Sequence, residues 1–165
     1  MSLLLNGAKT MTIAGTEMQC LEIYTGEAYT LPITFTDSSG NAANALYPNA
    51  WTLSTSAKFY TVDNVTYTGA DSIVLGNINL NNAQPNANAY TLVADWTNAS
   101  AGTAYLYVGA DITNSGNNTP NISLANSAAN STLVIITLEV TRESTSNASL
   151  DNINREPLGF IVRYQ

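Results

Sequence analysis

A chain of 165 residues with no histidine, one cysteine and a net charge of −7 excludes more functions than it suggests. Without histidine there is no imidazole base, no histidine zinc ligand and no Ser-His or Cys-His nucleophile, and Cys20 alone makes neither an intrachain disulfide nor a cysteine-based metal site. Five basic residues against twelve acids are too few to neutralise phosphates or to hold an anionic membrane surface, so nucleic acid and membrane are not expected as partners.

Only 10% of the residues are charged, against ~25% in ordinary domains. About a third are Asn, Ser or Thr, so neutral polar groups carry the solubility. Weakly charged, Asn- and Thr-rich compositions are frequent among extracellular and virion structural proteins. The length fits one domain, expected as an N-terminal arm or short edge strand over 1–16 and a single β-sandwich over 17–165. Met1–Asn6 has no basic n-region and only three consecutive leucines, so no export signal is expected.

The segment 1–16 is short and mixed, and reads either as a frayed arm or as a strand added to a neighbouring subunit. Glu17–Tyr24 reads as the first strand, and Thr25–Ala28 as a short loop pairing it in a hairpin with Tyr29–Thr36. In Tyr29–Thr36 the residues Tyr29, Leu31, Ile33 and Phe35 alternate with Thr30, Pro32, Thr34 and Thr36, the period of a half-buried strand. Pro32 cannot donate to a ladder, which predicts an edge position or a bulge. Asp37-Ser38-Ser39-Gly40 supplies turn chemistry: polar side chains that bond the local backbone, then a glycine for positive φ.

An Asn-rich loop follows, and Trp51–Val62 is the next strand, with Trp51, Leu53, Ala57 and Phe59 on one face. Asp63-Asn64 is expected to turn into Val65–Thr68, and Ile73–Leu80, Tyr90–Trp96 and Tyr105–Val108 are further strands. Gly109–Asn130 is weakly patterned, with Ile122 and Leu124 as a short strand. Leu133–Val140 is apolar on both faces and β-branched, as in a central strand covered on two sides. Ser144–Pro157 reads as a loop containing Leu150 and Ile153, and Leu158–Tyr164 as the last strand. Eight to ten strands without a substantial helix predict an all-β fold, an antiparallel immunoglobulin-like sandwich.

The residues with chemistry are better explained by structure. Asp37, Asp63, Asp71, Asp95, Asp111 and Glu139 are scattered, mostly at strand ends where turn-making explains them, so no paired-carboxylate site is assigned. Asp111–Asn118 lacks the spaced acids and distal Glu of a calcium loop. Glycosylation sequons such as those beginning at Asn64, Asn98, Asn121, Asn130 and Asn147 are expected by chance in so Asn-rich a chain. Trp51 and Trp96 lie on the apolar parity of their strands and read as core; Tyr105 and Tyr107 occupy one parity together and are the better surface candidates. No catalytic, cofactor-binding or metal-binding residue is assigned, and an enzyme is not expected.

The run from Gly26 to Phe59 resembles the opening of immunoglobulin-like β-sandwich proteins of tailed-phage baseplates and tail fibres. The resemblance rests on Gly26-Glu27, on LPITFTD (31–37) with Ser39-Gly40-Asn41, and on Trp51-Thr52-Leu53 leading to Ala57-Lys58-Phe59; Arg155–Tyr164 is similar to phage structural material. It implies a virion structural protein in a baseplate or tail-fibre attachment site. It implies no cofactor, and partners that are other virion proteins and copies of the chain itself. A single domain is expected, without the receptor-binding or trimerising tail that many proteins of that kind carry. A capsid decoration protein and a carbohydrate-binding or adhesin module are the alternatives.

Overall fold

The structure, a computed structural model, describes residues 2–24, 26–46, 50–62, 66–67, 73–74, 78–84, 91–110, 131–142 and 152–163. They form strands β1 (Ser2–Leu5), β2 (Lys9–Ile13), β3 (Thr16–Tyr24), β4 (Tyr29–Thr36), β5 (Thr52–Val62), β6 (Thr66–Tyr67), β7 (Ile73–Val74), β8 (Ile78–Gln84), β9 (Leu92–Asn98), β10 (Thr103–Val108), β11 (Ser131–Arg142) and β12 (Asn152–Arg163). One 3₁₀ turn, Ala99–Ala101, joins β9 to β10.

Two sheets pack face to face, one ordered β1-β4-β10-β9 and the other β2-β3-β12-β11-β5-β8, while β6 and β7 pair separately. With β1, β4, β5, β9, β10, β11 and β12 lettered A to G, this is the A-B-E-D and G-F-C order of an immunoglobulin-like sandwich, extended by β8 beside β5. The fold class expected from strand periodicity is therefore the one observed. One feature is not antiparallel: β3 runs parallel to β12, with Leu158 opposite Gln19 and Arg163 opposite Tyr24.

The core follows the alternation. Leu31, Ile33 and Phe35 of β4 and Ala104, Leu106 and Val108 of β10 point inward from one sheet. Ala57, Val134, Ile136, Leu138, Val140, Leu158, Phe160 and Val162 meet them from the other. A smaller cluster lies on the outer side of the six-stranded sheet, where Leu133 and Ile161 pack with Ile13, Met18 and Cys20. Adjacent Leu133 and Val134 thus fall in different clusters, which is the two-sided burial expected of that strand.

Several expectations are corrected. β3 and β4 are not a hairpin: β3 pairs with β2 and β12, and β4 with β1 and β10. Each strand buries one face in the shared core from its own sheet, so the same alternation satisfies a crossover as well as a hairpin. Tyr29 holds the crossing, its hydroxyl accepting the Tyr24 N–H at 2.8 Å and donating to Glu27 Oε2 at 2.7 Å. Pro32 is not on an edge, because β4 lies between β1 and β10. Within a strand a residue's N and C=O face the same neighbour, and the Pro32 carbonyl accepts from Asn6 N at 3.1 Å, one residue past the end of β1. The missing donor therefore falls where the neighbouring strand has already finished.

Asn152–Pro157 is strand rather than loop, paired with Thr137–Arg142 of β11. The stretch expected as one strand over Ile73–Leu80 holds two, β7 and β8. The Asp63-Asn64 turn, the segment with Ile122 and Leu124, and Leu150 lie outside the described residues.

Residues 2–13 contribute an edge strand to each sheet, β1 pairing with β4 and β2 with β3. The open side of β1 is closed by one side chain. Gln19 of β3 donates from Nε2 to Leu3 O at 2.6 Å and accepts from Leu5 N at 2.8 Å. Those two groups flank Leu4, so the carboxamide sits where a residue of an added parallel strand would bond. A free edge of this kind invites pairing between chains, and here it is blocked from within. Gln19→Ala is expected to lower unfolding free energy by about 1–3 kcal/mol, by leaving a carbonyl and an N–H without partners. Denaturant titration checks this, and an unchanged midpoint would remove the role.

Candidate functional site

The turn after β4 forms as its residues dictate. Asp37 Oδ1 accepts from Ser39 N at 2.8 Å and from Asn41 N at 2.9 Å, and Gly40 takes φ +82°. These backbone bonds to Asn41 and Ser39 hold the Asp37 carboxyl below its ordinary pKa. Asp37 N also donates to Asn41 O, and the loop beyond is stitched to the β9–β10 turn by Ala45 N to Ala99 O at 2.8 Å. Trp51 N then bonds Ala45 O at 2.9 Å, which delivers the chain to β5.

These connections frame a cavity of about 400 Å³ lined by Asp37, Ser38, Ala42, Ala43, Asn44, Trp51 and Arg142. Six of these residues come from the link between β4 and β5, and Arg142 is the last residue of β11. In sandwich terms this is the end that carries the B–C and F–G loops, the end from which variable domains bind; the parallel is one of position.

Trp51 is 8% exposed and belongs to the core, as expected from its parity. Trp96 is half-buried; its ring lies 5.1 Å from Phe35 and 6.3 Å from Trp51, and its Nε1 donates to Trp51 O at 3.0 Å. Arg142 Cζ stands 5.2 Å from the centroid of the Trp51 ring. Trp51 Nε1, Arg142 Nε and Asn154 Nδ2 are buried without a hydrogen-bond partner. Sequence reasoning missed this end because Arg142 and Asn154 have no motif around them. They are recognised only when the strand register sets them near Trp51.

A second surface is the outer face of the four-stranded sheet. Cross-strand rows there read Leu4–Thr34–Thr103, Pro32–Tyr105–Asp95 and Thr30–Tyr107–Val93. Leu4 is 60% and Val93 45% exposed, while Tyr105 and Tyr107 are half-buried among their neighbours. Asp95 is the single charge in these rows, and its Oδ1 accepts the adjacent Trp96 N–H at 2.7 Å. The two tyrosines therefore lie on one outward face, the parity read from the sequence.

Glu139 is opposite Arg155 on β12 and accepts from its Nε at 2.7 Å. Asp63, Asp71 and Asp111–Asn118 lie outside the described residues. Among the described residues no group of three His, Cys, Asp or Glu is placed to hold a metal ion. Cys20 is buried, and burial pushes its thiol up to about 11 against a smaller opposing effect of the Gly159 backbone. It is therefore a packing residue, and iodoacetamide at pH 8 is expected to label it only in denaturant. Labelling of the native chain at the denatured rate would contradict this.

No protein-family model matches the chain, and no curated protein matches it. Among solved structures it is similar to one titled "Structural basis of T cell specificity and activation by the bacterial superantigen toxic shock syndrome toxin-1", at 9% identity over 96% of this chain and 100% of that one, with a TM-score of 0.28. A likeness at that level carries no argument about function.

Proposed function

We propose that this chain is a non-catalytic structural module that works by assembling with other proteins through the outer face of its four-stranded sheet. The observation that carries the reading is the composition of that face: Leu4, Pro32, Val93, Tyr105 and Tyr107 set among threonines, with one carboxylate. Aromatic and aliphatic groups free of lysine and glutamate are what interface centres favour, and threonine hydroxyls desolvate more cheaply than charges. The edge of β1 is blocked by Gln19, which favours association through the face over pairing through that edge.

The assembly we propose is a virus particle, in a tailed-phage baseplate or tail-fibre attachment site, as the resemblance of Gly26–Phe59 implies. Copies of the chain and other virion proteins are then its partners. Mass spectrometry of purified particles, followed by labelling in electron microscopy, tests this placement. Presence on the tail supports it, while a head location favours a decoration protein. Absence from particles contradicts both.

A further inference from the structure

Within a strand each residue turns its N–H and C=O to one neighbour, so an edge strand leaves alternate residues open. Both edges of the four-stranded sheet are closed by side chains. Gln19 holds Leu3 O and Leu5 N of β1. On β9, Thr55 Oγ1 donates to Leu92 O at 3.2 Å, and Asp95 Oδ1 accepts from Trp96 N at 2.7 Å. Leu92 and Trp96 are outward residues of β9, since Gly109 N bonds Thr91 O on its inner side.

The β2 edge of the six-stranded sheet has no such closure. β2 and β3 form a hairpin through Ala14 (φ +49°) and Gly15 (φ +83°), a two-residue type I′ turn that makes Ile13 and Thr16 a hydrogen-bonded pair. Lys9, Met11 and Ile13 therefore bond to β3, and Thr10 and Thr12 turn their main-chain groups away from the sheet. Among the described residues nothing bonds these groups, and both threonines are exposed. β2 carries no proline, its register with β3 is unbroken, and its one charge is Lys9 at its start.

This edge is complementary to itself. Setting Met11 opposite the partner's Met11 in an antiparallel pair puts Thr10 opposite the partner's Thr12, and Thr12 opposite the partner's Thr10. The four open groups of each copy then close in four hydrogen bonds, beside two cross-strand threonine pairs. Odd residues meet odd ones, so the register obeys a two-fold axis and keeps each side chain on its own face. The two copies of Lys9 stand about 14 Å apart along the strands, beyond the ~8 Å screening length.

We propose that two copies of this chain pair through β2 about a two-fold axis at Met11, joining their six-stranded sheets into one. The contact lies apart from the outer face of the four-stranded sheet and does not rest on it. Five-residue strands bury far less than the ~1,200–2,000 Å² of a stable interface, so the pairing is transient between free chains. It becomes lasting between copies that another contact already holds close.

The test is disulfide trapping, with Met11→Cys and Lys9→Cys made separately in the full chain. Both carry Val93→Lys/Tyr107→Lys, so that the result is independent of association through the outer face. The native Cys20 is buried and takes no part. Paired Met11 Cα atoms lie about 4.5 Å apart, within the roughly 4.4–6.8 Å that a disulfide spans, and paired Lys9 atoms lie outside it. Under copper-phenanthroline oxidation the Met11→Cys dimer is expected to form at least about tenfold faster than the Lys9→Cys dimer. Thr10→Pro removes an N–H that β3 does not use, so adding it should slow Met11→Cys trapping by about tenfold with a melting temperature within a few degrees. Met11 is half-buried, so a second pair uses exposed sites. An equimolar mixture of Thr10→Cys and Thr12→Cys chains should cross-link faster than either alone. Equal rates for Met11→Cys and Lys9→Cys, a mixture no faster than its components, or trapping unaffected by Thr10→Pro overturns the proposal.

Discussion

Replacing Gly102 by alanine is expected to cost about 3 kcal/mol or more and to lower the melting temperature by about 6–12 °C. Gly102 closes the 3₁₀ turn between β9 and β10 at φ +63°, a left-handed conformation that costs an L-residue roughly 1–2 kcal/mol. Space is the larger problem. A Cβ built there falls 2.6 Å from Ala43 O, 2.7 Å from Phe35 O and 3.0 Å from Ala43 N, all backbone atoms. Two of them are bonded to each other, Ala43 N donating to Phe35 O at 3.0 Å, and Phe35 N donates to Gly102 O at 2.8 Å. Making room for one methyl group therefore pulls apart the junction of three segments. Thermal denaturation checks this, and a melting temperature within a degree or two of the parent would contradict the placement of the turn.

Gly159→Ala is expected to cost about 1–3 kcal/mol for a different reason, overpacking in an extended strand. Gly159 is opposite Cys20 across the parallel β12–β3 pair, and an added Cβ would lie 2.7 Å from Cys20 Sγ, 3.4 Å from Met18 Sδ and 3.5 Å from Ile13 Cδ1. The thiol is short and buried, so it has little freedom to swing away. Cys20→Ala alone should be mildly destabilising through the space it leaves. Together the two changes should compensate, with a coupling energy of about 1 kcal/mol or more in a double-mutant cycle. Strict additivity would mean that the two residues do not share the space that the structure gives them.

The sandwich was legible in the chain because its strands alternate cleanly. Tyr29–Phe35 and Trp51–Ala57 declare which side is buried, and Leu133-Val134 declares that both sides are. Partnership was not legible, since alternation records a face and not a neighbour; β3 and β4 satisfy one core from opposite sheets. Pro32 misled because the rule against proline in central strands assumes a neighbour on both sides at that residue, and β1 ends one row short. Asn152–Pro157 resembles a loop in composition, yet its register along β11 makes it strand. At the candidate pocket, Asp37 and Gly40 were readable as a turn. The orphaned donors of Trp51, Arg142 and Asn154 were not, because burial without a partner is a property of three-dimensional register alone.

Sedimentation of the purified chain from micromolar to millimolar concentration, beside a Val93→Lys/Tyr107→Lys variant, tests the assembly reading most directly. Both substitutions are on the outer face and outside the core, so they should leave stability within about 1 kcal/mol of the parent. The parent is predicted to associate as concentration rises, and the variant to remain a monomer with a nearly unchanged melting temperature. A parent that stays monomeric throughout, or a variant that associates as the parent does, would contradict assembly through this face.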